Sequence, residues 1–239
     1  MAKRKWSGST SKKRKRFKKK SMKKSLKSMV IRALRSRQET KNKAYATTTS
    51  LTKSVMKTWN VFYHTGISQG TGNNQFVGNE LRLTGIKFIF DVASLTSVAY
   101  DTYLYIALIR FRGYNTLTSL TSAEVRQGSS LDSSIDLDSD KCKLLKQWRI
   151  KLPASLANRA YYGDAAAGPI NLDASRMHVQ VKKYLKIGKD IKFEDYSTDY
   201  KVKNGNFYVC AYAASYFGTA AATSLCDLGL NWRLYYTDS

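Results

Sequence analysis

The segment Leu225-Cys226-Asp227-Leu228-Gly229-Leu230-Asn231-Trp232-Arg233-Leu234-Tyr235-Tyr236 decides the fold class. From Leu228 onward every second residue is large and apolar (Leu228, Leu230, Trp232, Leu234, Tyr236), with Gly, Asn, Arg and Tyr between them. A period of two puts all the large side chains on one face of a pleated strand, whereas a helix would scatter them around its axis. The spacing predicts a half-buried β-strand over 225–236.

The same reading extends towards the amino terminus. Runs rich in β-branched and aromatic residues occur at Leu81–Ala93, Thr102–Arg112, Lys143–Leu152, His178–Ile187, Asp190–Asp195 and Asn206–Ser215. Trp59, Val61 and Tyr63 alternate with Thr58, Asn60 and Phe62, giving a first strand over roughly 55–64. Within 81–93, Leu81, Leu83 and Gly85 fall on one face, and Ile86, Phe88 and Phe90 on the other. A Gly/Asn-rich loop spans 66–79, and long connections precede Lys143 and His178. No strong helical period follows residue 54, and Pro153 and Pro169 both sit in connections, where they disturb no ladder. Eight strands in residues 55–239 make the body all-β and suit an antiparallel sandwich, of which the jelly roll is the eight-stranded form.

Ahead of the body lies a segment of different composition. Residues 1–43 hold nineteen of the 41 Lys and Arg and one of the 17 acids, so most of the +24 net charge is in one terminus. Residues 1–21 carry Lys3, Arg4 and Lys5, then Lys12, Lys13, Arg14, Lys15, Arg16, Lys18, Lys19 and Lys20, with no apolar period, and read as a flexible polycation. Trp6 and Phe17 interleave with this charge and are placed to stack on unpaired bases. Over 22–37, Met22, Leu26, Met29, Val30, Ala33 and Leu34 recur at helical spacing, and Lys23, Lys24, Lys27, Arg32, Arg35 and Arg37 occupy other positions. That is an amphipathic basic helix, expected to lay its apolar stripe on the body and its basic face on nucleic acid. A helix lying on a membrane surface is the competing use of this pattern. Residues 44–54 are rich in Thr and Ser and read as a linker between arm and body.

Charge so concentrated repels itself unless a polyanion neutralises it, and nucleic acid is the expected partner. Lys12–Arg16 also has the composition that nuclear import receptors read. A ribosomal or chromatin protein would spread its basic residues over the body, yet after Lys43 the balance is 22 basic to 16 acidic. Cys142, Cys210 and Cys226 are odd in number and widely spaced, which supports neither a disulfide framework nor a zinc knuckle. No apolar run approaches the roughly 20 residues of a membrane span, and no signal-peptide core is expected.

Motifs for catalysis, metals and cofactors are weak. Asp136-Leu137-Asp138-Ser139-Asp140 begins like a calcium loop, but Lys141 stands at the sixth position and Gln147 at the twelfth. It reads as an acidic surface loop that meets a basic patch such as Lys182-Lys183 on a neighbouring copy. His64 and His178 lack partners at a ligand or nucleophile spacing, and Asp190, Glu194 and Asp195 around Lys192 read as a solvated face. Gly70-Thr71-Gly72 lacks the third glycine of a dinucleotide fingerprint. The expectation is a non-enzymatic chain without metal or cofactor, its sixteen Tyr suited to subunit interfaces.

The loop Ile67-Ser68-Gln69-Gly70-Thr71-Gly72-Asn73-Asn74-Gln75-Phe76-Val77-Gly78-Asn79 resembles one in the capsid proteins of circovirus-like circular single-stranded DNA (CRESS-DNA) viruses. There too a basic arm precedes a first strand, this loop, and a strand like Leu81–Phe90. The chain end Trp232-Arg233-Leu234-Tyr235-Tyr236-Thr237-Asp238 is similar to that family's last strand, and Ile187–Phe193 with Asn204–Ala211 resembles its paired strands before it. Phe76 stands where family members often have Arg, so the contact made by that Arg is expected to be absent or supplied elsewhere, as by Arg82. The resemblance implies a jelly roll of viral capsid type, a homo-oligomeric icosahedral shell of about sixty subunits, a packaged single-stranded DNA genome, and location in the virion and, during assembly, the host nucleus. About 18 arm charges in each of roughly sixty copies would offset on the order of a thousand phosphates. The coat protein of a small or satellite RNA virus is the nearest alternative, because phosphate charge does not separate DNA from RNA.

Overall fold

Residues Ser224–Asp238 form the last strand, β10, and in the computed structural model Leu228, Leu230, Trp232, Leu234 and Tyr236 are all buried, as their period of two requires. The structure describes residues 26, 28–30, 40–53, 55–72, 75–94, 101–112, 119–126, 137–152, 178–193, 202–203, 205–215 and 224–238. The chain divides into two units, Met1–Glu39 and Thr40–Ser239.

In the second unit the strands are β1 (Lys41–Thr52), β2 (Lys57–Asn60), the two-residue β3 (Ser68–Gln69) and β4 (Gln75–Phe76), β5 (Glu80–Ser94), β6 (Thr102–Phe111), β7 (Cys142–Leu152), β8 (His178–Lys192), β9 (Phe207–Ser215) and β10. Two short helices accompany them, α1 (Val61–Thr65) and α2 (Ser122–Val125). One four-stranded sheet has the order β1-β10-β5-β8 and the other β2-β9-β6-β7, and every ladder in both is antiparallel. If only the eight strands of these sheets are numbered, the orders become 1-8-3-6 and 2-7-4-5, the double Greek key of a jelly roll. Leu81, Phe88, Phe90, Leu228 and Leu230 of one sheet and Leu104, Ile106, Leu108 and Val209 of the other belong to one core cluster. A second cluster covers the opposite face of the β9-β6 pair, where Tyr105, Ile109, Tyr208 and Tyr212 meet Leu120 and Val125.

Several expectations need correction. Residues 44–54 are no linker: nearly all of them belong to β1, paired with β10 from Lys41↔Tyr236 onward. Its inward positions are Tyr45, Thr47, Thr49 and Leu51; Thr is a β-branched strand former, and the segment lacks a run of large apolar markers because β1 lies at a sheet edge. Lys41 and Lys43 accordingly belong to the body. The strand over 55–64 stops at Asn60, whose Oδ1 accepts the N–H groups of Phe62 (3.1 Å) and Tyr63 (3.2 Å) and starts α1. Gly66, at φ +60, ends that turn. Residues Asp190–Lys192 continue β8 instead of forming a separate strand. Among the described residues the two four-stranded sheets hold eight strands, with β1 gained and 190–192 merged into β8.

In β5 the two supposed faces are one. The pairing register jumps between Leu83 and Gly85 against both neighbours, so Thr84 is a bulge residue and Leu81, Leu83, Ile86, Phe88 and Phe90 all point into the core. Of the segments 187–193 and 204–211, the strand residues are not ladder partners: 187–192 belong to β8 and 207–211 to β9, in different sheets, and the isolated bridge Phe193↔Val202 lies between the two strands in sequence.

Candidate nucleic-acid interface

The arm residues named for nucleic-acid binding (Lys3, Arg4, Lys5, Trp6, Lys12, Lys13, Arg14, Lys15, Arg16, Phe17, Lys18, Lys19, Lys20, Lys23, Lys24, Lys27, Arg32, Arg35 and Arg37) lie outside the described residues. Of the arm, Leu26, Ser28, Met29 and Val30 are described; they are helical, and the three apolar ones are exposed.

The sequence reading placed nucleic-acid binding on the arm alone, yet the sheet assembles a basic face on the body. Strands β10, β5 and β8 turn Arg233, Lys87 and Tyr184 outward in one cross-strand row, beside the rows Asn231–Ile89–Lys182 and Tyr235–Gly85–Lys186. On β1 the adjoining outward residues are Ala44 and Ala46, whose small side chains leave a trough of about 380 Å³ lined also by Lys87, Ile89, Asn231 and Arg233. Lys87, Lys182, Lys186 and Arg233 make no ion pair among the described residues. Tyr184 crosses Gly85, where any Cβ would overlap its hydroxyl, and meets Tyr235 edge-on at 6.1 Å. It stays 59% exposed, so a large aromatic face is open amid four cations.

The other end of this outer face is acidic and self-satisfied. Asp91 accepts from Gln180 Nε2 at 2.7 Å and lies 3.7 Å from His178 Nε2, and Asp227 accepts from Ser50 Oγ at 2.6 Å. The free positive charge is therefore confined to one end. The arrangement can hold phosphates on ammonium and guanidinium groups and stack a base on Tyr184, which is single-strand chemistry. No sequence motif marks it, because Lys87, Lys182 and Arg233 come from three separate strands.

Other singled-out residues have local roles. Asp138 accepts the N–H groups of Asp140 and Lys141 and pairs with Lys141 Nζ at 3.2 Å, and the Lys141 hydrogen bond leads in holding its carboxyl below the usual range. It shapes the turn into β7. Asp136, Glu194, Asp195, Tyr100, Tyr161 and Tyr162 lie outside the described residues. His64 rests against the rings of Tyr45 (5.1 Å) and Tyr63 (5.4 Å). Asp190 binds Arg82 at 2.7 Å and Lys192 binds Glu80 at 2.9 Å. Arg82 is thereby committed to Asp190, and Phe76 is a buried core residue stacked 5.3 Å from Phe193, so the contact expected of an Arg at this loop is replaced by packing. Loop 66–79 is tied down by Lys41, whose Nζ donates to Gln75 O and Asp238 Oδ2, both at 2.7 Å. The three cysteines are free and buried, and burial is the leading cause that pushes the Cys142 thiol up to about 11 and Cys226 to about 12. Among the described residues no group of three His, Cys, Asp or Glu is placed to hold a metal ion.

Comparison with known proteins adds little at the level of sequence: no family profile matches, and no curated protein is similar. Among solved structures, a chain from Desmodium yellow mottle tymovirus is similar over 84% of this chain and 88% of its own, at 10% identity and a TM-score of 0.35. VP1 of Trichodysplasia spinulosa-associated polyomavirus, in complex with GM1 oligosaccharide, aligns over 81% of this chain and 76% of its own, at 11% identity and a TM-score of 0.14. The class of the protein rests on its own strand order: an eight-stranded jelly roll preceded by a polycationic segment.

Proposed function

We propose that the chain is a viral capsid subunit, which assembles with copies of itself into a closed icosahedral shell and packages single-stranded DNA. The observation that carries this reading is the coupling of a jelly-roll strand order to a terminus of 39 residues holding seventeen of the 41 Lys and Arg. A body whose eight strands are spent on one sandwich, next to a segment that cannot balance its own charge, fits a shell that gathers a polyanion. The loop at 67–79 and the ending at 232–238, which resemble circovirus-like capsids, favour circular single-stranded DNA as the cargo. Lys12–Arg16 then serves import into the host nucleus, and fusion of residues 1–21 to a fluorescent reporter tests it by nuclear accumulation. Removal of residues 2–39 is expected to leave a folded body that has lost its copurifying nucleic acid, read as a fall in the 260/280 nm absorbance ratio. An unchanged ratio would contradict the packaging role of the arm.

A further inference from the structure

Strand β6 sends Leu104, Ile106 and Leu108 into the core between the sheets and Tyr105, Ala107 and Ile109 to the opposite face. Continued by one step, this alternation puts Arg110 on the core-facing side, at the end of the sandwich. A cleft of about 320 Å³ opens there, lined by Arg110, Lys189, Asp190, Gly188, Gly205 and Phe207. Nε of Arg110 is buried and has no hydrogen-bond partner. The carboxylate in the wall, Asp190, is already bound to Arg82 at 2.7 Å, and among the described residues no other acid pairs with Arg110. Burial, with the nearby charge of Arg112 second, holds the Arg110 guanidinium below its ordinary value.

A buried polar donor left unmade costs on the order of 1–3 kcal/mol, more for a charged one, and the cleft has room for a group of several acceptor oxygens. A guanidinium meets a tetrahedral oxyanion through two parallel N–H donors, and Lys189 in the wall adds a third. We propose that this cleft between β6 and β8 binds a phosphate-type anion on Arg110 and Lys189, either free phosphate or a backbone phosphate of a nucleic acid. The site is separate from the basic outer face around Tyr184 and does not depend on the capsid reading.

The test uses the full chain. Thermal unfolding of the body is followed in inorganic phosphate and in chloride at matched ionic strength, for wild type, Arg110→Gln, Arg110→Lys and Lys189→Ala, together with the ¹⁵N–¹H resonance of Arg110 Nε. A tenfold excess of phosphate over its Kd is expected to raise the wild-type Tm by about 3 °C. The gain should vanish in Arg110→Gln and shrink in Lys189→Ala, and the Nε resonance should move on titration. A resonance that moves with free phosphate identifies a free-anion site, and one that moves only with a short single-stranded oligonucleotide identifies a backbone-phosphate site. If neither ligand moves it, or if free phosphate moves it and yet wild type and Arg110→Gln gain equally, the proposal is overturned. Should Arg110→Gln fail to fold, the resonance decides alone.

Discussion

Gly205 lies against the end of β6, where a Cβ would overlap the carbonyl of Phe111, and its φ is +91. Gly205→Ala therefore meets both a clash and an unfavourable backbone, and is expected to cost more than about 1–2 kcal/mol in chemical denaturation. Buried acids set the pH response. Burial raises the thiols of Cys142 (to about 11) and Cys226 (to about 12) from an ordinary 9.0, and the phenols of Tyr208 and Tyr236 (both to about 12) from 10.0. The folded chain keeps protons that the unfolded chain releases, so this stability is complete below about pH 9 and is lost as pH climbs towards 12. The urea midpoint should hold level from neutrality to mildly alkaline pH and fall above pH 9; a midpoint that rises there would contradict the burial of these groups. At this scale the sequence was a good guide where chemistry is local. Trp232 was legible as a core residue, but its partner was not: its Nε1 donates to Thr65 Oγ1 at 2.8 Å, across 167 residues.

Among the elements, β10 was legible from its large apolar residues at a period of two, and β6 and β9, buried on both faces, from near-continuous apolar and aromatic runs. β1 was missed because an edge strand of Thr, Ala and Ser carries its order in hydrogen bonds to β10 instead of in hydrophobicity. The bulge at Thr84 hid for a related reason: it reverses the period midway, so a single face reads as two. A chain beginning at Thr40 should fold as the full chain does, whereas one beginning at Val55 exposes the edge of β10 and should aggregate or lose much of its Tm. Equal Tm for both would restore the linker reading. The free edges of the two sheets also carry a safeguard. Lys183 of β8 and Lys146 of β7 occupy core-facing positions, opposite Phe88 and Leu108, and line a cleft of about 610 Å³ with Trp148 and Ile150. Inward charges on edge strands oppose edge-to-edge pairing, so Lys146→Val with Lys183→Val should leave secondary structure intact and raise non-specific aggregation in light scattering.

For the whole molecule, charge was more legible than its placement. The sequence showed that the terminus is a polycation, but the basic face that carries Lys87, Lys182, Lys186, Arg233 and Tyr184 arises only once three strands align. With residues 2–39 removed, Lys182→Glu with Arg233→Glu should weaken the remaining single-strand affinity at least tenfold and flatten its dependence on salt. Tyr184→Ala should weaken it by about 1–3 kcal/mol with the salt slope unchanged. A truncated body that ignores all three substitutions would leave nucleic-acid binding to the arm alone.

Electron microscopy of the expressed full-length protein, before and after nuclease treatment, with extraction and typing of whatever survives, tests the capsid reading most directly. The account predicts closed shells of uniform size enclosing nuclease-resistant nucleic acid, with single-stranded DNA retained when that is the only nucleic acid supplied during assembly. A protein that stays monomeric with its nucleic acid fully digestible would contradict it.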